Sequence, residues 1–192
     1  IAGKRRDGTR WVMFSFYGGG HGATAESDGL NHGNAPISMA TIPPVEILEA
    51  AYPVAFRQWA LRPGSAGAGA HRGGLGAIYE IEVLEEMGAE AFFFGERGRF
   101  APKGVAGGGD AARNHFTFQQ GDGWDTPPLF SKMVGIRLKQ GERVRLETPG
   151  GGGYGPAAER PARAVARDVA LGYLGAEEAD RAYGAEWREA GA

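Results

Sequence analysis

The sequence predicts an α+β fold: mainly antiparallel β-sheet with long glycine-rich loops and a C-terminal helical hairpin. Three observations predict it. Short apolar or alternating runs bounded by turn residues recur through most of the chain, as half-buried strands require. Glycine accounts for 34 of 192 residues, against a usual share of about 7%, and it clusters without a fixed period. After the last cluster, Gly150 to Gly155, the apolar spacing changes to the i, i+3, i+4 pattern of a helix face. The expected organisation is a glycine-rich β domain over 1–155 and a helical hairpin over 156–192 packed on it.

The first strand is expected over 11–17, a short apolar run that ends at Gly18-Gly19-Gly20-His21-Gly22. Residues 24–44 read as irregular, because Asp28-Gly29, Gly33-Asn34, Pro36 and Pro43-Pro44 punctuate the backbone. Residues 45–52 suit a helical turn opened by Pro44, or an extended segment, and Pro53 stops either. A strand follows over 54–61. A glycine loop over 63–74 leads to the clearest strand, 75–84, where Ala77, Tyr79, Ile81 and Val83 alternate with Ile78, Glu80 and Glu82. Met87-Gly88 breaks it and residues 89–94 return, which predicts a hairpin. Residues 100–110 form another glycine loop. Residues 113–128 carry a turn at Gly121-Asp122-Gly123 and no placed element. Strands over 132–138 and 143–148, joined around Gln140-Gly141, predict a second hairpin. Pro161 opens a helix whose Ala162, Val165, Ala166 and Val169 share a face, and Gly172 closes it. A second short helix runs over 177–183 and ends at Gly184.

The net charge is −2, so no bulk attraction to nucleic acid or an anionic membrane is expected. Hydrophobic content is 42% and there is no cysteine, which excludes disulfides and thiolate metal sites. No apolar run reaches the roughly 18 residues that a spanning helix needs. The first residue is Ile, and a processed or truncated piece of a longer protein is expected.

None of the glycine clusters carries the lysine of a phosphate-binding P-loop, and none opens a helix in a βαβ unit. The serines lack a nucleophile elbow. His21 and His32 flank Asp28 in one loop. That trio can hold a divalent cation, or the histidines can be surface hydrogen-bonders. Asp28, Asn31 and Asn34 can close Asx turns or point into a site rim. Glu46 and Glu49 would share a helix face, which suits paired acid–base work or a solvated surface. Arg72 offers a bidentate fork to an anion, or a surface ion pair.

The order of motifs is more specific than any one of them. Gly19-Gly20-His21-Gly22-Ala23 is followed by Asp28-Gly29 and Pro44-Val45-Glu46-Ile47-Leu48-Glu49 with Tyr52-Pro53. Leu61-Arg62-Pro63, Ser65-Ala66-Gly67-Ala68-Gly69 and Arg72-Gly73-Gly74-Leu75-Gly76 come next. Gly107-Gly108-Gly109, Thr148-Pro149-Gly150-Gly151-Gly152-Gly153-Tyr154-Gly155 and the tail Asp168-Val169, Gly172-Tyr173 complete the series. From about residue 11 to 185 this resembles the C-terminal part of the hydantoinase B/5-oxoprolinase family, with relatives among acetone and acetophenone carboxylase subunits. His21 stands where the family often has Trp.

The resemblance implies part of an ATP-dependent amidohydrolase acting on a cyclic amide such as 5-oxoproline or an N-substituted hydantoin. A ketone carboxylase component and a non-catalytic assembly module are the alternatives. The implied partners are the N-terminal remainder of the B-type subunit and an ATP-binding A-type subunit, in the cytoplasm. ATP and a divalent metal are expected to bind mainly outside this chain, so no metal ligand is assigned in this segment. His21, Asp28 and Arg72 are the candidate catalytic groups. Gly19, Gly20, Gly22, Asn31, Gly151, Gly152 and Tyr154 are expected on loops around the substrate cavity.

Overall fold

Two antiparallel sheets face each other across one apolar core in the computed structural model, which describes residues 1–33 and 43–190. In chain order the elements are β1 (Ala2–Lys4), β2 (Arg10–Val12), α1 (Val45–Ala51), β3 (Val54–Leu61), β4 (Ala77–Val83), β5 (Ala89–Phe94), β6 (His115–Gln120), β7 (Gly123–Asp125), β8 (Lys132–Leu138) and β9 (Arg143–Glu147). Helices α2 (Ala162–Ala170), α3 (Ala176–Tyr183) and α4 (Trp187–Ala190) end the chain, after a 3-10 turn at Ala157–Glu159. One sheet has the order β2-β1-β5-β8 and the other β3-β4-β9-β6-β7. The α+β class read from the sequence is the observed one.

Alternation decides which side chains enter the core. On β4, Ala77, Tyr79, Ile81 and Val83 are buried. They meet Ala89, Ala91 and Phe93 of β5, Phe116 and Phe118 of β6, Ile136 and Leu138 of β8, and Val144 and Leu146 of β9. The opposite face of the five-stranded sheet is an ionic ladder. Arg57 and Arg143 both reach Glu82, Arg143 and Arg145 both reach Glu80, and Arg145 and His115 reach Glu147. Opposite charges on neighbouring strands stabilise such a face modestly.

Both expected hairpins are corrected. The strands over 75–84 and 89–94 do not pair, nor do those over 132–138 and 143–148. Instead β4 pairs with β9 and β5 with β8. Residues 84–88 and 139–142 each carry the chain from one sheet to the other, with Gly88 and Gly141 at positive φ. Two strands with apolar inner faces can lie side by side or face to face, and their alternation is the same in both cases.

Other boundaries also move. The strand expected over 11–17 ends at Val12; Met13 adds one backbone pair with Ile1, and residues 14–17 belong to no ladder. The unplaced stretch 113–128 contains the β6–β7 hairpin, turning at Gly121. The helical reading of 45–52 is the observed one, and Pro161 and Gly172 bracket α2 as expected. Pro36 and Asn34 lie outside the described residues. Among the described residues no helix is long and apolar enough to cross a membrane.

Candidate functional site

The glycine clusters come together beside the sandwich as a bundle of extended segments bonded through their backbones. Residues 149–155 run through its middle. The Gly151 N–H donates to the Gly74 carbonyl (2.9 Å) and the Gly67 N–H to the Gly151 carbonyl (2.9 Å). Gly153 donates to Gly109 (3.0 Å), Val105 to Gly153 (2.9 Å), and Ala23 to Gly152 (2.9 Å). Tyr154 and His71 exchange two bonds, of 2.9 and 3.0 Å. Segments pack this closely because there is no Cβ between them. A methyl group added at Gly20, Gly73, Gly74, Gly150, Gly151 or Gly153 would sit inside a neighbouring carbonyl. Two buried hydroxyls tie the bundle to the sheet. Ser65 Oγ donates to the Arg62 carbonyl (2.7 Å) and accepts from the Gly76 N–H (2.9 Å). Thr148 Oγ1 donates to the Gly18 carbonyl (2.9 Å) and accepts from the Ala77 N–H (2.7 Å).

On the bundle's flank, Asp28 and Arg72 meet two residues of the C-terminal segment. Arg160 forks onto Asp28 with two bonds of 2.7 Å and reaches Asp168 with a third of 2.7 Å. Arg72 Nε donates to Asp168 (3.1 Å), and its Nη1 to Asn31 Oδ1 (3.0 Å). Asn31 Oδ1 also accepts from the Leu75 N–H (2.9 Å), and the Asp28 carboxylate from the Arg72 N–H (2.9 Å). Two positive and two negative groups therefore neutralise one another at the seam between bundle and helix α2. Burial pushes the Asp28 carboxyl up, but the Arg160 hydrogen bonds and the Arg160 and Arg72 charges outweigh it and hold the group below its ordinary value. Burial works against the Arg160 charge too, yet its bonds to Asp28 and the Asp168 charge hold the proton more tightly than in a free guanidinium. A hollow of about 750 Å³ opens over this quartet, with Arg163, Arg167 and Tyr173 on its wall. Among the described residues Arg163 and Arg167 make no ion pair, so the hollow has an excess of positive charge.

His32 lies elsewhere, at positive φ, in a cluster with Tyr17, Trp59 and Tyr79. Trp59 Nε1 donates to His32 Nε2 (3.1 Å), and the Tyr79 hydroxyl bonds the same nitrogen. An indole N–H can only donate, so Nε2 is an acceptor and the ring is neutral with its proton on Nδ1. Burial lowers the His32 pKa and pushes the Tyr17 hydroxyl up to about 12.

His21, Asp28 and His32 thus go to separate partners. The His21 carbonyl accepts the Gly74 N–H (2.7 Å) and its ring lies over Gly33. Among the described residues no three His, Asp or Glu side chains group as a metal site. Glu49 Oε1 accepts the Phe56 N–H (2.7 Å), and Glu46 is solvated. Of the loop residues, Gly19 bridges to Gly33, Gly20, Gly151 and Gly152 pack backbone to backbone, and Tyr154 bridges His71 and Val105. A methyl at Gly22 would have room, 3.8 Å from the nearest atom. Sequence reasoning missed Arg160 and Asp168 as members of the cluster. The available signal was Asp168 itself, a carboxylate three residues after Val165 on the buried stripe of a helix, where a charge needs a partner.

The hydantoinase B/oxoprolinase family model matches residues 1–157. The chain belongs to this family. It is similar to the beta subunit of the Pseudomonas jessenii caprolactamase, 32% identical over 144 residues that cover 73% of this chain and 24% of that one. The B-type subunit of a putative D-/L-hydantoinase from Pseudomonas sp. is 27% identical over 174 residues, 91% of this chain and 29% of the relative. The crystal structure of the P. jessenii ATP-dependent caprolactamase superposes with a TM-score of 0.80 at 29% identity, covering 96% of this chain and 33% of that one. A nucleotide-free acetone carboxylase shares the fold, with a TM-score of 0.76 at 23% identity over 95% of this chain and 28% of that one. The chain therefore spans about a tenth to a third of the length of the relatives it matches.

Proposed function

We propose that this chain is the C-terminal portion of the B-type subunit of an ATP-dependent amidohydrolase that opens a cyclic amide such as 5-oxoproline or an N-substituted hydantoin. The likeness to the ATP-dependent caprolactamase, in sequence and in fold, supports this reading most directly. The remainder of the B-type subunit and an ATP-binding A-type subunit complete the enzyme, in the cytoplasm. ATP and a divalent metal bind in those other parts. Phosphorylation of the amide oxygen makes the lactam carbon open to attack by water. This chain supplies a rigid wall: the glycine bundle holds His21, Asp28 and Arg72 at the border of the substrate cavity, and Arg163 and Arg167 lend positive charge nearby. The test is to co-produce the chain with the rest of the complex and measure ADP release with 5-oxoproline and hydantoins. Lactam-dependent ATP turnover with ring opening is expected. Turnover that needs bicarbonate and a ketone would replace the hydrolase reading with a carboxylase one.

A second reading has an observation in its favour. The hydrogen-bonding capacity of Asp28 and Arg72 is largely taken up within the chain, as in a module that only assembles the complex. Alanine variants of His21, Asp28 and Arg72 separate the two. A fall in kcat of more than about tenfold, roughly 1.4 kcal/mol of barrier, in a complex that still assembles rules out the assembly-only reading.

A further inference from the structure

The four-stranded sheet has a gap in it. β1 pairs with β2 through Ala2–Val12, Gly3–Trp11 and Lys4–Arg10, and with β5 through Ala2–Glu90 and Gly3–Ala89. Ile1 extends the line by one residue, exchanging two backbone bonds of 2.9 and 2.8 Å with Met13. Beyond that point residues 14–17 on one side and 92–94 on the other flank an open groove of about 510 Å³. Its floor is the sandwich core, including Phe93, Phe116 and Leu146. Its lips are phenylalanines: Phe14 is 72%, Phe16 61% and Phe94 72% exposed. Apolar residues at this density on a free strand edge are a liability unless something covers them.

The antiparallel register says what fits. Continuing β1 beyond Ile1 places successive residues between Phe14 and Phe92, then Ser15 and Phe93, then Phe16 and Phe94. The position at Ser15 and Phe93 faces the core, and its neighbours lie among the exposed phenylalanines. Ile1 and Met13 form a hydrogen-bonded pair, so the Ser15 N–H is the next on its edge to point into the groove; on the other edge the Phe92 and Phe94 N–H groups do so. We propose that the groove takes an extended apolar β-strand that continues the line of β1 and belongs to the part of the family's polypeptide outside this chain's span. The relatives supply the length: the matched region is 24–33% of the caprolactamase and hydantoinase chains. This rests on family membership and not on the proposed reaction.

The probe is the 192-residue chain prolonged before Ile1 by Val-Thr-Val-Thr, compared with the same chain prolonged by Gly-Ser-Gly-Ser and with the unextended chain. Amide hydrogen exchange at Ser15, Phe92 and Phe94 should slow about 100-fold or more with the β-branched extension alone. In the complete B-type subunit the same three amides should be protected as strongly. Equal exchange with both extensions, or open amides in the complete subunit, overturns the proposal. Protection that appears in the unextended chain as its concentration rises overturns it in favour of a second copy at this edge. A cross-link reads the register independently of exchange, since the chain has no cysteine. Phe14→Cys should form a disulfide with a cysteine in the last position of the β-branched extension, and no disulfide means that the line of β1 does not continue there.

Discussion

Replacing Gly151 with alanine should destabilise the chain by about 3 kcal/mol. The added methyl would lie 2.6 Å from the Gly22 nitrogen and closer still to the His21 carbonyl. Both are backbone, so relief requires the 149–155 segment to move by about 2 Å to reach ordinary contact distance. That shift breaks the bonds from Gly151 to Gly74 and from Gly67 to Gly151, both 2.9 Å. Each buried group left without a partner costs about 1–3 kcal/mol. Lower chain entropy in the unfolded alanine variant returns only about 0.4–1 kcal/mol. Gly151 is not at positive φ, so the loss is steric. Gly175→Ala is the control, because its φ is −72° and a methyl there meets nothing. Chemical denaturation of both variants, with equal m-values, measures the difference. A Gly151→Ala loss within about 1 kcal/mol of the Gly175→Ala value would refute the reasoning.

Three further outcomes follow from the charged quartet and from the separate His32 cluster. Arg160→Met should cost about 3 kcal/mol, at the low end for a broken buried pair because Asp168 keeps Arg72; Arg160→Lys should recover only part, since an ammonium cannot fork across Asp28 and still reach Asp168. Denaturation, with limited proteolysis of the α2–α4 tail, checks both, and a full rescue by lysine would show that geometry is unimportant. Because the Asp28 carboxyl is held below its ordinary value, its contribution is complete above about pH 4 and fades as pH falls through the folded-state value; Asp28→Asn should flatten that limb of the stability curve. His32 titrates in the opposite chemical sense with the same direction in pH: the unfolded ring takes a proton near pH 6.5 and the buried ring resists it, so stability is complete above about pH 6.5 and declines below it. The imidazole NMR shift of His32 should show a midpoint below 6.5, and a midpoint at or above that value would contradict its acceptor role toward Trp59.

The elements were legible where one local rule was enough. Alternation located β3 and β4, Pro161 and Gly172 bracketed α2, and the order of glycine motifs pointed to the family. Pairing was not legible. Residues 84–88 and 139–142 look like hairpin turns because their flanking strands alternate in the same way whether they share a sheet or face each other. The candidate site was half legible. Asp28, Asn31 and Arg72 drew notice as polar residues among glycines, but their partners Arg160 and Asp168 lie 132 and 96 residues away along the chain from Asp28 and Arg72 respectively.

By itself the sequence determined the positions of β3, β4, β5, β8, β9, α2 and α3, the family, and the need for close backbone approach at the glycine clusters, since each follows from residues near one another. Only the tertiary structure decided that the glycines pack on each other, that Asp28 and Arg72 are neutralised at a seam with the C-terminal helices, and that His32 joins tyrosines and a tryptophan. Those outcomes depend on contacts between distant segments, where hydrogen-bond geometry and the exclusion of water choose among partners that the sequence leaves equivalent.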